Sequence, residues 1–216
     1  MRYIIYRKHL LLFGLLIATI LLFVATRMYP GGSQLDKNSI GYDWSNNYLC
    51  NLFDPIAVNG KNNPSQYWAI AGMLLICSSF GYFFYDFSEK INSKKAANTI
   101  KFSGIASMFF AFLIVTPYHN QMIIISSLLA LISISYITVY IFKSRLYYFK
   151  TLCILSLLSL FVCNYVYYTK TYLEYLPILQ KIALLLSVLW IILLNYFTAK
   201  SDFSSIYQTR NKKYFI

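Results

Sequence analysis

Residues 102–142 read FSGIASMFFAFLIVTPYHNQMIIISSLLALISISYITVYIF, two apolar runs without a charge, separated only by His119, Asn120 and Gln121. Each run, Phe102 to Tyr118 and Met122 to Phe142, has the roughly 17–25 residues a helix needs to cross about 30 Å of hydrocarbon. Three residues join only neighbouring helix ends, so the pair is predicted to be a tight antiparallel hairpin inside a membrane. Working outward, the same test finds Leu10 to Thr26, Trp68 to Tyr85, Thr151 to Tyr168 and Ile182 to Ala199, the last preceded by Pro177 where a helix start tolerates proline. The fold class expected is all-α, a polytopic six-transmembrane-helix bundle forming a single integral membrane domain over residues 1–216.

Composition agrees. The chain is 58% hydrophobic and only 12% charged, against about 25% charged in soluble domains, so lipid is its main solvent and disorder is excluded. Four cysteines in 216 residues do not make a disulfide scaffold. The apolar run of the first span exceeds a signal-peptide core and no small-residue cleavage motif closes it, so it reads as an uncleaved span.

The net charge of +12 finds its explanation in where the cations lie. If all six segments cross, Arg2, Arg7, Lys8, Lys90, Lys94, Lys95, Lys101, Lys143, Arg145, Lys150, Lys200, Arg210, Lys212 and Lys213 share one side, 14 of the 19 basic residues. Arg27, Lys37, Lys61, Lys170 and Lys181 fall on the other. Excess Lys and Arg in short loops marks the cytoplasmic side, so both termini are expected in the cytoplasm, most simply of a bacterial inner membrane. A cationic collar facing anionic headgroups accounts for the charge without nucleic acid as a partner. The tail Arg210–Phe215 reads as a solvated or headgroup-bound end, and His9 belongs to the collar. Tyrosines cluster at the predicted boundaries, Tyr147 and Tyr148 on one side and Tyr165, Tyr167, Tyr168, Tyr172 and Tyr175 on the other, as interfacial anchors.

Chemistry is concentrated in the one long connection, the outer loop of residues 29–66, since topology alone needs only short loops. Its Gly, Pro and Asn residues favour turns. Trp44, Tyr48, Leu49, Leu52 and Phe53 fall at i, i+4, i+5, i+8 and i+9, which predicts a short amphipathic helix capped by Asp43. Asn46, Asn47, Asn51 and Asp54 would offer polar groups from its other face. One reading is a lid whose polar side chains satisfy one another. A sharper reading gathers Asp43, Trp44, Asn46, Asn47, Asp54 and His119 into a pocket for a lipid headgroup or small polar ligand. His119 is the only histidine on that side and titrates nearest neutrality, which makes it the general-base candidate if a reaction occurs, with Asp43 or Asp54 orienting it.

Several chemistries find no support. Two histidines on opposite faces cannot build an all-histidine zinc site, and the H-E-x-x-H, G-x-S-x-G and P-loop patterns are absent from the sequence. An Asp43, Asp54 and His119 metal site stays geometrically open but its spacing is unspecific, and no metal or cofactor is expected. No Asp, Glu, Lys or Arg sits at mid-depth, against an ion-coupled pump. Cys50 and Cys163 both fall toward the outer side, leaving a bridge open, while Cys77 and Cys153 read as packing residues. Serines in the spans, such as Ser103 with Ser107, and Gly104 read as helix-contact positions; Asn164 is singled out as a larger polar group.

The run Asn38 to Asp54, with Tyr29-Pro30 before it and Asn63-Pro64-Ser65 after it, resembles bacterial six-span membrane proteins classed as a domain of unknown function. T-P-Y-H-N, Thr116 to Asn120, is similar to their proline-then-histidine pattern after the third span. The layout also resembles the DRAM-type and Sfk-type membrane proteins. Asn51-Leu52-Phe53-Asp54 stands where that pattern has a Leu-Gly turn. The resemblance implies six spans and a role in lipid organisation rather than an established reaction. Three functional classes follow: a lipid or ligand binder, an enzyme on a lipid-linked substrate using His119 with Asp43 or Asp54, and a structural subunit of a homo- or hetero-oligomeric assembly.

Overall fold

The computed structural model describes residues 2–204, with side chains from His9 onward. The tail Arg210–Phe215 and the side chains of Arg2, Arg7 and Lys8 lie outside the described residues. Six long helices run in sequence: α1 Arg2–Met28, α2 Ser65–Ser88, α3 Lys94–Phe112, α4 His119–Lys143, α5 Tyr147–Thr169 and α6 Leu176–Phe197. All six contain stretches long and apolar enough to cross a membrane. At 1.5 Å per residue, the 24 residues of α2 extend about 36 Å, more than the hydrocarbon thickness. The chain is an integral membrane protein of the all-α class.

The helices form an antiparallel series. α2 packs between α1 and α3, α3 pairs with α4, and α5 pairs with α6, which reaches back to α1 and α2. The α3–α4 hairpin forms, but its connection lies earlier than the expected His119–Gln121: α3 gives way to a 3-10 turn at Leu113–Val115 and a bend at 116–118, and His119 is the first residue of α4. Ser93 heads α3 by accepting from the Ala96 N–H at 3.4 Å, the N-terminal capping that Ser favours.

Large apolar side chains are distributed as hydrocarbon demands. Phe13, Ile20 and Phe23 of α1, Phe161 of α5, and Leu185 and Phe197 of α6 face outward, a surface water would not tolerate on this scale. The main core lies toward the end of the bundle that carries the termini. There Trp190 is 1% exposed, and its ring meets Phe83 edge to face at a centroid distance of 5.5 Å. Phe83 also contacts Phe84 and Phe87, and Phe87 meets Phe203 just beyond α6. The Trp190 indole donates to Cys153 Sγ at 3.2 Å, satisfying its one polar atom. A smaller core sits at the opposite end, where Ala25, Tyr29, Leu52, Phe53, Ala57 and Ala69 join α1, α2 and the long loop.

Small residues let the backbones approach. A Cβ on Gly104 would overlap the Phe84 ring, and one on Gly14 would overlap Ser79 Oγ. This supports the small-residue reading of α3. Several polar groups inside the spans find backbone carbonyls: Ser107 donates to Gly104 O at 2.6 Å and the Asn164 amide to Leu160 O at 2.8 Å, each a turn back on its own helix, while Ser133 of α4 donates across to Ile100 O of α3 at 3.0 Å. Asn164 is thus a self-satisfied helix residue. His9 contacts the Tyr196 hydroxyl at 2.9 Å, tying α1 to α6 at the lysine-rich end.

Replacing Gly104 with Ala puts a methyl into the Phe84 ring and is expected to cost about 1–3 kcal/mol, the usual penalty of overpacking. Thermal melting of the detergent-purified variant reads this as a lowered transition temperature; an unchanged transition would contradict the close α2–α3 contact.

Candidate functional site

The loop of residues 29–64 is a folded cap built on side-chain amides. Two isolated antiparallel bridges, Gly31 with Ile40 and Ile56 with Asn62, pin its two lobes. Gly32 adopts a left-handed backbone with φ of 82° where the 58–59 segment passes, and a Cβ there would overlap Asn59 N. At the centre Asn47 is fully buried. Its amide nitrogen donates to Gly32 O at 2.8 Å and Asn51 Oδ1 at 3.3 Å, and its Oδ1 accepts the Asp43 N–H at 2.8 Å. Asn63 plays the matching part at the head of α2. Its amide donates to the carbonyls of Asn51, Leu52 and Asp54, the last at 2.7 Å, while its Oδ1 accepts the Ser65 N–H at 3.1 Å.

The amphipathic helix predicted over Trp44–Phe53 does not form. Asp43 Oδ1 accepts the N–H groups of Ser45 and Asn46 at 2.9 and 3.1 Å and its Oδ2 accepts the Asn46 amide at 2.8 Å. That arrangement stabilises one tight turn, and the only helical element after it is the 3-10 turn Leu49–Leu52. Ser, Asn and Asp side chains competing for local backbone groups explain the difference. The apolar residues consequently do not share a face: Leu52 is fully buried while Trp44 is 54% exposed and packs edge-on against Tyr42.

The structure divides the six expected site residues into two groups. Asp43, Asn46 and Asn47 belong to the internal turn network, with Trp44 on its outside. That network is locked to the bundle by Lys181 of α6, whose half-buried ammonium donates to Asn47 O at 2.6 Å and Pro177 O at 2.9 Å, and lies 5.4 Å from the Tyr42 ring centroid. The Asn46 amide donating to Asp43, helped by the Ser45 and Asn46 N–H groups and by nearby Lys181, outweighs desolvation and holds the Asp43 carboxyl below its ordinary value. Burial raises the Tyr42 hydroxyl, reinforced by nearby Cys50, Tyr29 and Asp43. These groups are occupied with holding the cap together, the reading in which the loop satisfies itself.

Asp54 and His119 form the second group, on an open cleft of about 530 Å³ between the cap and the α3–α4 bend. Phe53, Ile114 and Val115 give it an apolar wall, and Cys50, Gln66 and Thr116 add polar atoms. Asp43 is not among the residues lining it. Asp54 keeps a solvent-facing side, but partial burial against the wall raises its carboxyl above the ordinary 3.8, while His119 across the cleft acts in the opposite direction. The His119 Nδ1 lies 3.3 Å from Asn120 Oδ1, and Asn120 Oδ1 in turn accepts the Tyr167 hydroxyl at 2.7 Å. The ring is thus oriented by an amide, not by a carboxylate. Burial pushes the Cys50 thiol up to about 11, so it stays protonated near neutrality and is a poor nucleophile. Cys50 and Cys163 are both free thiols; the bridge left open by the sequence is not made. Among the described residues no group of three or more His, Cys, Asp or Glu side chains could hold a metal ion.

Lys181, Asn63, Ser65 and Gln66 were not singled out from sequence. A signal existed for three of them. A lysine four residues after Pro177, at the head of an otherwise apolar helix, must find an acceptor or snorkel, and Asn-Pro-Ser is a helix-start pattern. Comparison with family models, with curated proteins and with solved structures finds no match.

Two of the loop carboxylates, Asp43 and Asp54, should respond oppositely to substitution. Asp43, with its lowered value, stabilises the fold above the ordinary carboxylate range, and that contribution is lost as pH falls through the lowered value. Asp54, with its raised value, favours the fold at low pH and loses that contribution as pH rises through the raised value. At pH 7 Asp43→Asn is therefore expected to lower the melting temperature and Asp54→Asn to leave it unchanged or raise it. Shifts of the same negative sign would contradict the assignment.

Proposed function

We propose that this membrane protein binds a lipid headgroup, or a small polar ligand of the same chemistry, in the cleft between the cap and the α3–α4 bend. In this reading the cap faces away from the cytoplasm, both termini are cytoplasmic, and the membrane is a bacterial inner membrane. The lysine-rich collar at the terminal end supports that orientation, and the resemblance to lipid-organising six-span proteins points the same way.

One observation carries the proposal: Asp54 from the cap and His119 from the start of α4 face a single open cleft with an apolar wall. That pairing suits an amphiphile, whose apolar part lies on Phe53, Ile114 and Val115 while an ammonium or hydroxyl meets the Asp54 carboxylate. Small-molecule sites combine these features, mostly apolar walls with few convergent polar groups. The cap residues Asp43, Asn46 and Asn47 support the site at a distance by fixing the loop, and Trp44 lies outside it.

An enzymatic reading draws on the same pair, with His119 as base and Asp54 as its orienting group. The Asn120 partner of His119 and the protonated Cys50 favour binding over turnover.

The test uses phosphatidylethanolamine added to the full-length protein purified in mild detergent, with retained lipid read by native mass spectrometry. Asp54→Asn and His119→Gln are each expected to lower retention about tenfold, roughly the loss of one charge-assisted hydrogen bond, while Asp43→Asn leaves retention unchanged in the folded fraction. Equal retention in all four proteins would overturn the proposal. Breakdown of the lipid that depends on His119 would replace it with the enzymatic reading.

A further inference from the structure

Away from the cap, the lipid-facing side of α2 and α3 carries a furrow of about 420 Å³ whose lining is almost wholly apolar. It runs along α2 from Leu74 to Tyr85 and along α3 from Phe112 back to Ile105. Eleven residues of helix rise about 16 Å, close to half the hydrocarbon thickness of about 30 Å. The furrow is thus one leaflet deep, and its deep end lies nearer the cap while its mouth lies toward the termini.

Glycine forms its floor without being required by packing. A Cβ on Gly81 would meet only Met108 Cβ, at 3.9 Å, ordinary van der Waals contact. Gly104, facing the same pair of helices, is different, because there the Phe84 ring occupies the space of a side chain. Gly104 lets α2 and α3 touch; Gly81 leaves a space between them unfilled. Ser78 and Cys77 keep the adjoining turn small.

The mouth is cationic and aromatic. Lys101, one turn before Ile105 on α3, places its ammonium 4.8 Å from the Tyr85 ring centroid and 5.9 Å from that of Phe102. A cation held on ring faces at this depth stands at headgroup level, and Lys94 and Lys95 continue the positive surface along the same helix. An acyl-chain furrow opening on a fixed ammonium is complementary to a lipid with a negatively charged head.

We infer that the α2–α3 furrow seats one acyl chain of an anionic phospholipid from the leaflet on the terminal side, with its phosphate on Lys101. This site is separate from the cap cleft, in position and in the sign of charge it recognises, and does not depend on that cleft binding anything. It holds a structural lipid in the α2–α3 interface beside the Gly104–Phe84 contact.

The experiment titrates the full-length protein in mild detergent with phosphatidylglycerol and, separately, phosphatidylcholine of identical chains, counting bound lipid by native mass spectrometry. The wild type is expected to prefer phosphatidylglycerol about fivefold, the ratio one lysine near a headgroup provides. Gly81→Leu, which fills the floor, should lower retention of both lipids about tenfold; Gly81→Ala should retain both. Lys101→Gln should keep phosphatidylcholine and lose the preference for phosphatidylglycerol. Wild-type binding by a Gly81→Leu protein of unchanged melting temperature would overturn the inference. If Gly81→Leu lowers the melting temperature, Lys101→Gln decides: loss of preference supports the site, and a preference that survives overturns it.

Discussion

One buried carboxamide organises the side of the molecule where chemistry is concentrated. Asn47 binds the beginning of the cap through Gly32, its middle through the Asp43 N–H and its end through Asn51, while its own carbonyl accepts Lys181 from α6. A buried amide left without partners costs about 1–3 kcal/mol per group, so these bonds act together. With all of them made, the cap has a single arrangement, and Asp54 is held at a set position over the α3–α4 bend. Asn63 secures the far end of the same segment to α2. A cleft between a loop and a helical hairpin has a defined shape only because both of these amides are satisfied.

The bundle below obeys a different constraint. Hydrocarbon offers a backbone no hydrogen-bond partner, so each crossing segment must satisfy its own amides, and helices do so. Once water is absent, apolar burial no longer drives helix association, and close packing at small residues takes over. Gly14 against Ser79 and Gly104 against Phe84 are such contacts. Several polar side chains within the spans bond the carbonyl a turn behind them, as Ser107 and Asn164 do, while Ser133 of α4 reaches Ile100 O on α3. The aromatic core around Trp190 and Phe83 closes the terminal end, leaving the cap end as the open one.

How much of this was legible in the sequence follows from which forces dominate where. Hydropathy over a window of some 20 residues is a strong signal, and all six helices follow from it, although the α3–α4 bend falls at residues 113–118 and His119–Gln121 open α4. The cap was legible as a structured, polar loop, but not its form. The spacing Trp44, Tyr48, Leu49, Leu52, Phe53 matches a helix, yet the side chains of Asp43, Asn47 and Asn51 capture the local N–H groups, and a residue pattern does not weigh those rivals. Of the residues expected in one pocket, Asp54 and His119 line a common cleft, because the α3–α4 bend brings the start of α4 beside the cap. The Asn47 side chain is turned inward by Gly32 O and Asn51 Oδ1 and Asp43 is taken up by its own turn, while Lys181, four residues past Pro177, ties the Asn47 carbonyl to α6 from 134 positions away in sequence.

Amide hydrogen exchange across residues 43–65, in protein reconstituted into lipid nanodiscs, tests the account most directly. The account predicts slow exchange at the Asp43, Asn47 and Asn63 N–H groups, which donate to Asn47 Oδ1, Asp43 O and Pro55 O respectively, alongside fast exchange at exposed Trp44. Uniformly fast exchange through this segment would mean that no fixed cap exists, and the cleft that Asp54 shares with His119 would have no defined shape.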